Sequence, residues 1–326
     1  MLVRLLCFVL LLSSTTALAG PAVLLMPAIG REGGVTLTGR ALKEAPTEGS
    51  SVLSRNLRRL TAPNWEGAKV EVSFLGATAT VTSGHDGGFE VNLQPPQGTR
   101  FKPGLHQAVA KLEGAITRAR VEVVPDATPL LVISDFDDTV AVTQVTDKGA
   151  LLANALLKDS DTQAVVPGMA DFYKCLREKK SAAFALVSGS PIQFLPRVSN
   201  FLDRHRFPPF GLYLRDLGPS TMSGYKQPVI RRLLQQFSQP VVLVGDSGEH
   251  DPEVYAQIRE EFPGRVKAVY IRDAGRTESA SRFEGMVLFR DASEAAGKAV
   301  EAGLADGACV AKAFPKQAPG VAESSP

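Results

Sequence analysis

Two rhythms of apolar and polar positions divide the chain. From Val35 to about Pro125 the period is two: Val35-Thr36-Leu37-Thr38, Val70-Glu71-Val72-Ser73-Phe74, Thr78-Ala79-Thr80-Val81, Phe89-Glu90-Val91-Asn92-Leu93 and Val121-Glu122-Val123 alternate apolar with polar side chains. Such alternation puts one face of a strand in a core and the other in water, which predicts half-buried antiparallel strands. Gly84-His85-Asp86-Gly87-Gly88, Pro95-Pro96-Gln97-Gly98 and Pro103-Gly104 supply turns, so residues 20–125 read as a small all-β sandwich domain. Arg55 to Leu60 reads as one helical turn in a loop, its basic side chains a solvated face or a contact for anionic headgroups.

Beyond Pro125 the pattern becomes short apolar runs separated by helix-length stretches. Leu130-Leu131-Val132-Ile133, Ala183 to Val187, Val241 to Val244 and Ala268 to Ile271 are almost wholly apolar, as strands covered on both faces must be, and Gly211 to Leu214 is a weaker fifth run. Between them Leu151 to Leu157, Met169 to Arg177, Phe194 to Phe201, Val229 to Phe237 and Val254 to Phe262 carry apolar residues at helical spacing. This predicts an α/β domain over residues 126–306, a Rossmann-like parallel sheet with helices on both faces. Residues 307–326, aperiodic from Ala311 on, are expected to be a disordered tail.

The amino terminus has its own pattern. Arg4, the apolar run Leu5 to Leu12 and the small-x-small triplet Ala17-Leu18-Ala19 predict a signal peptide over residues 1–19, the apolar run being too short for a spanning helix of about 20 residues. The mature chain is therefore expected to be exported, either periplasmic or secreted. With 36 basic and 34 acidic side chains among 326 residues, the net charge of +2 argues against nucleic-acid binding. Cys7 leaves with the leader. Cys175, in a helical stretch, and Cys309, at the edge of the tail, read as two free thiols, and four histidines without a Cys-x-x-Cys argue against zinc.

In parallel sheets ligands bind beyond the carboxyl ends of the strands, so the residues that follow each run carry the chemistry. The Leu130 run leads into Ser134-Asp135-Phe136-Asp137-Asp138-Thr139, whose crowded carboxylates call for a cation or for solvent exposure. The Val241 run ends in Gly245-Asp246-Ser247-Gly248-Glu249-His250-Asp251-Pro252, a second acidic pair without the ligand spacing of an EF-hand. The Ala183 run ends in Ser188-Gly189-Ser190-Pro191, a hydroxyl with backbone N–H groups ahead of a helix, and Lys226 stands at the start of another helix, where a cation opposes the macrodipole.

Acidic pair, serine, lysine and acidic pair, in that order, resemble the haloacid dehalogenase superfamily of phosphotransferases. Asp135-Phe136-Asp137-Asp138-Thr139 with Gly245 to Tyr255 is most similar to its actin-patch-protein type phosphatidate phosphatase catalytic domain, over roughly Leu130 to Ile271. The resemblance implies an exported phosphoric monoester hydrolase acting on phosphatidate or a related lipid phosphate, with peripheral membrane contact. Asp135 would be the nucleophile that forms an aspartyl-phosphate, and Asp137 the acid and then the base. Thr139 would hydrogen-bond near them, Ser188 would hold a phosphoryl oxygen and Lys226 would balance charge. Mg²⁺ would be held by Asp135, the Asp137 carbonyl and Asp246, with Asp251 supporting that shell; His250 would be a bystander.

Ile192-Gln193-Phe194 follows Ser190-Pro191 where this branch often has an aromatic residue, which bears on the wall of the substrate pocket. Phe194, Leu195, Phe207-Pro208-Pro209-Phe210 and Met222 are candidates for an apolar entrance or for core. A phosphatase for a soluble phosphomonoester and a non-catalytic surface-binding module are the alternatives. The short stretch from Thr139 to Ala183 predicts a small or absent cap, and nothing in the sequence fixes the oligomeric state.

Overall fold

The alternating segments fold into two facing sheets. The computed structural model describes residues 20–46, 51–143, 163–216, 222–275, 277 and 279–315. One sheet has the order β1-β3-β6, from Ala22–Leu25, Val35–Leu42 and Gly88–Leu93. The other has the order β2-β8-β7-β4-β5, from Ala28–Arg31, Ala115–Val124, Gly104–Leu112, Lys69–Phe74 and Ala77–Thr82. All pairings are antiparallel except β2 with β8. Leu37, Val91 and Leu25 from the first sheet meet Val70, Val72, Ala108, Ala110 and Val121 from the second in one core, so the period-two positions point inward.

The apolar runs form a six-stranded parallel sheet of order β11-β10-β9-β12-β13-β14. Its strands are β9 Leu131–Ser134, β10 Ala183–Pro191, β11 Gly211–Arg215, β12 Val241–Asp246, β13 Val266–Arg272 and β14 Val287–Phe289. Val132, Val242 and Val244 face one side, with α2 (Met169–Lys180), α3 (Leu195–Arg204) and α6 (Ala292–Glu301). Leu131, Ile133 and Leu243 face the other, with α4 (Met222–Gln236) and α5 (Asp251–Glu261). Proline in the first turn of α3 and of α5 fits the place where the missing N–H costs nothing. The chain runs outward from β9 to β11, then returns to β12 on the other side of β9, which makes the carboxyl ends of β9 and β12 the topological switch point.

Several expectations change. The single turn at Arg55 to Leu60 is a ten-residue helix, α1 (Val52–Thr61), capped by the Ser51 hydroxyl, which accepts from Ser54 N at 3.2 Å. Residues 307–313 are not tail: Gly307–Ala313 forms helix α7, capped by Asp306, which accepts from Cys309 N at 2.8 Å. Nor are Cys175 and Cys309 free thiols; they form a disulfide, Cα atoms 5.5 Å apart. The reason is tertiary, because α6 returns the chain to α2, where Asp306 N donates to Cys175 O at 3.1 Å and sets α7 beside it. Phe194, Leu195, Phe207 and Phe210 are buried, which favours core over an open entrance. Residues 1–19 with the predicted leader, the Leu151 to Leu157 helix, the Met222 side chain and residues 316–326 lie outside the described residues, as does most of the stretch where a cap would fall. No described helix is long and apolar enough to cross a membrane.

The β region and the parallel sheet share apolar contacts. Met26 packs into the core on the α2 side, Ile29 and Val124 into the core on the α4 side. Leu212 N donates to Pro27 O at 2.8 Å, and Gly211 lies so close that a Cβ there would sit 2.8 Å from Ile29 N.

Candidate active site

Three strand ends deliver the polar groups to one place. Asp135 leaves β9 with its N–H donating to Val244 O at 2.9 Å, a backbone link that fixes it against β12, which ends at Asp246. One carboxylate oxygen each from Asp135, Asp246 and Asp251 lie within 4.8 Å of one another, all three residues buried. Lys226, one turn into α4, is buried among them: its Nζ donates to Asp251 Oδ1 at 2.6 Å and lies 3.0 Å from Asp135 Oδ1 and 3.7 Å from Glu249 Oε2. Four carboxylates thus face one ammonium.

The charge imbalance decides the protonation behaviour. Burial pushes the Asp135 carboxyl well above its usual range; Lys226 opposes this, and Asp251, Asp246 and Glu249 add to it. Asp246 is raised in the same way, by burial first and then by Asp251. Burial alone would lower Lys226, but the surrounding carboxylates outweigh it and hold the ammonium charged. Asp135 Oδ2 and Asp246 Oδ2 are buried without a hydrogen-bond partner among the described residues. Unpaired carboxylate oxygens on two adjacent strand ends, in a cluster short of positive charge, fit a hard divalent cation such as Mg²⁺. Asp251 is occupied differently: besides Lys226, its Oδ2 accepts from Asp246 N at 3.3 Å, which suits a supporting role around such an ion.

Asp137 turns the other way. Its Oδ2 accepts from Ser190 Oγ at 2.9 Å and Ser188 Oγ at 3.4 Å, while Ser190 N donates to Ser188 Oγ at 3.0 Å. Burial raises the Asp137 carboxyl; the Ser190 hydrogen bond and the charge of Arg197 pull it back only in part. The carboxylate of Asp137 is not part of the three-aspartate cluster, leaving its carbonyl as the group the resemblance assigns to the ion. Thr139 is buried, with its Oγ1 unpartnered among the described residues. Between them Asp138 adopts a left-handed φ of +52°, held by Arg272 Nη1, which donates to Asp138 O at 2.7 Å, and by Thr143 N, which donates to Asp138 Oδ1 at 2.8 Å. All seven residues singled out, Asp135, Asp137, Thr139, Ser188, Lys226, Asp246 and Asp251, therefore lie at the carboxyl ends of β9, β10 and β12 or on the helices beside them. His250 is exposed, and its ring lies 4.0 Å from Glu253.

Sequence reasoning passed over four residues that shape the site. Ser190 stands in the sequence reading only as a member of the Ser188 to Pro191 stretch, yet it makes the shorter contact to Asp137. Glu249 stands inside the quoted Gly245 to Pro252 motif, but only folding shows that it reaches Lys226. Arg282 pins that motif from outside, donating from Nη1 to Ser247 O at 3.0 Å and from Nη2 to Glu249 O at 2.8 Å. Arg197, on α3, is buried beside Asp137 and donates from Nη2 to Gln163 Oε1 at 2.7 Å. The two arginines had no local signal.

A strained acidic strand end, a buried lysine and a second acidic strand end meet at the switch point. Residues 130–273 match the family model described as phosphatidate phosphatase APP1, catalytic domain, nearly the stretch Leu130 to Ile271 that carries the sequence resemblance. The chain is 34% identical over 149 residues to "Phosphatidate phosphatase APP1" of Saccharomyces cerevisiae, an alignment covering 43% of this chain and 25% of that protein. It is 27% identical over 172 residues to "Uncharacterized protein C29B5.04c" of Schizosaccharomyces pombe, covering 49% of this chain and 28% of the other. The chain thus spans about a quarter of the length of these relatives. Among solved structures, a chain of the Pnkp1/Rnl/Hen1 complex is similar over 50% of this chain and 46% of its own, at 16% identity and a TM-score of 0.34.

Proposed function

We propose that this chain is a phosphoric monoester hydrolase of the haloacid dehalogenase type that removes the phosphate of phosphatidate or a related lipid phosphate. The observation that carries the reading is the buried cluster of Asp135, Asp246 and Asp251 around Lys226, inside the stretch that matches the phosphatidate phosphatase catalytic domain. A bound Mg²⁺, held by Asp135, Asp246 and the Asp137 carbonyl, would supply the positive charge that steadies the transferring phosphoryl group.

The chain's own groups then account for two steps. Asp135 attacks phosphorus in line, forming an aspartyl-phosphate as the bond to the leaving alkoxide breaks, while Lys226 offsets charge on the nucleophile. Asp137, whose raised affinity for its proton suits a general acid, gives that proton to the alkoxide. As a carboxylate, Asp137 next takes a proton from water, whose oxygen attacks phosphorus; inorganic phosphate leaves and the Asp135 carboxylate is restored. Ser188, whose Oγ accepts from Ser190 N at 3.0 Å, holds a phosphoryl oxygen in this reading. Export is part of the same reading, supported by the Cys175–Cys309 disulfide, a bond that persists in oxidising compartments.

The test is release of inorganic phosphate from phosphatidate in mixed micelles containing Mg²⁺. Wild type releases it and Asp135→Asn does not. A folded wild type that acts only on water-soluble esters overturns the lipid assignment, and one that acts on no ester overturns the enzyme.

A further inference from the structure

The peptide that joins Ser247 to Gly248 is gripped from both sides. Its N–H, that of Gly248, donates to Asp246 Oδ1 at 2.7 Å, and its carbonyl, that of Ser247, accepts from Arg282 Nη1 at 3.0 Å. The peptide is trans, like every other among the described residues, so it is planar and points these two groups in opposite directions. Whatever holds the carbonyl therefore also aims the N–H. With Oδ1 so occupied, Asp246 keeps Oδ2 buried and without a partner among the described residues.

Arg282 is itself fixed. It lies on the 3-10 turn Ala280–Phe283, past the end of β13, and its Nε and Nη2 donate to Glu253 Oε1 at 2.6 Å and Oε2 at 3.1 Å, the two-pronged pairing for which a guanidinium is shaped. Nη2 also donates to Glu249 O at 2.8 Å, further along the loop that follows Asp246. Glu253 stands in the first turn of α5, the helix that opens with Asp251. One guanidinium thus ties the loop after Asp246 to the helix that carries Asp251.

We infer that Arg282 is a positioning residue for the divalent cation, holding the Asp246 carboxylate through the Ser247–Gly248 peptide so that Oδ2 is left for the ion. This role rests on the metal-dependent phosphatase reading above and names a residue outside the ligand set on which the ion depends. The sign of the effect separates it from plain electrostatics. A guanidinium near a cation site repels the cation, so its removal tightens binding by charge alone. Loss of the clamp acts the other way, because a carboxylate no longer held must be ordered as the ion binds.

The experiment titrates Mn²⁺ alone into the metal-free purified protein at about 0.15 M salt, follows the free ion by electron paramagnetic resonance, and displaces the bound ion with Mg²⁺. Arg282→Gln should bind about tenfold more weakly than wild type, the usual size of a loss of support behind a metal ligand. Arg282→Lys, a milder change that serves where Arg282→Gln does not fold, keeps the charge but cannot span two carbonyls and a carboxylate; it should be weaker by at least about threefold. Phosphate release by both variants should need correspondingly more Mg²⁺ for half-saturation. Wild-type or tighter Mn²⁺ affinity in either folded variant would overturn the role, even with a lowered urea midpoint, which is all that a merely structural arginine predicts. A wild type that takes up no Mn²⁺ would overturn it as well. Failure of the functional reading shows differently, as a wild type that binds Mn²⁺ yet releases phosphate from no ester.

Discussion

Lys226→Met removes one positive charge from the middle of four carboxylates while keeping most of the side-chain volume. The ammonium lies 2.6 Å from Asp251, 3.0 Å from Asp135 and 3.7 Å from Glu249; it and both aspartates are buried, while Glu249 is partly exposed. Breaking a buried pair from one side costs about 3–5 kcal/mol near neutrality. The carboxylates can offset part of the lost charge by binding a proton in the folded state that the unfolded chain does not hold. Groups whose folded pKa is raised give stability that is full below the unfolded pKa and is lost as pH rises through the folded value, and Asp135 and Asp246 already lean that way. One extra proton held by the folded variant makes its deficit against wild type grow by about 1.4 kcal/mol per pH unit. Urea unfolding of both proteins at about pH 6 and pH 8, with a chelator present, should therefore show the gap widening by about 2.7 kcal/mol. A gap that is the same at both values would refute the claim that the lysine is the counter-charge of this cluster.

Three further outcomes follow from neighbouring geometry. In Gly245→Ala the new Cβ meets Asp251 Oδ2 at 2.4 Å and Tyr255 Cε2 at 2.8 Å, so Asp251 must move; phosphate release should fall by about 100-fold in kcat. Cys309→Ser opens a cross-link between positions 134 residues apart, for which chain entropy sets a ceiling of about 5 kcal/mol and common experience about 2–4 kcal/mol, read by urea unfolding and matched by wild type in reductant. Asp291 caps α6, accepting from Ser293 N at 2.9 Å and Glu294 N at 3.3 Å, and Asp291→Ala should lose about 1 kcal/mol. The Ser293 hydroxyl holds the Asp291 carboxyl below its usual range, so this difference is present above the unfolded pKa and fades as pH falls through the lower folded value.

Strands buried on both faces leave a plain trace, because neither face can be polar, and the runs at Leu130, Ala183 and Val241 therefore located the sheet centre and, beyond it, Asp135, Ser188 and Asp246. Edges leave less. β14 has three residues, Val287–Phe289, and β1 and β2 have four each, too few for a period to register. α7 is seven residues long, and nothing local in it says that Cys309 will meet Cys175; the partner is chosen by how α6 returns to α2. The same holds at the site, where Asp135 to Asp137 announce themselves by spacing, while Arg282 reaches Ser247 across 35 positions with no pattern to mark it.

The seam where Met26, Ile29 and Val124 enter the cores of the parallel sheet bears on how this gene can be cut or recombined. Excising the leading segment would strip a wall from the parallel-sheet layer, laying bare the apolar flank of β10 and β11 where Pro27 O now accepts from Leu212 N and Ile29 lies against Gly211. The phosphatase-like layer is thus no interchangeable cassette: grafted behind another partner, it would need a substitute lining for that flank or would aggregate through it.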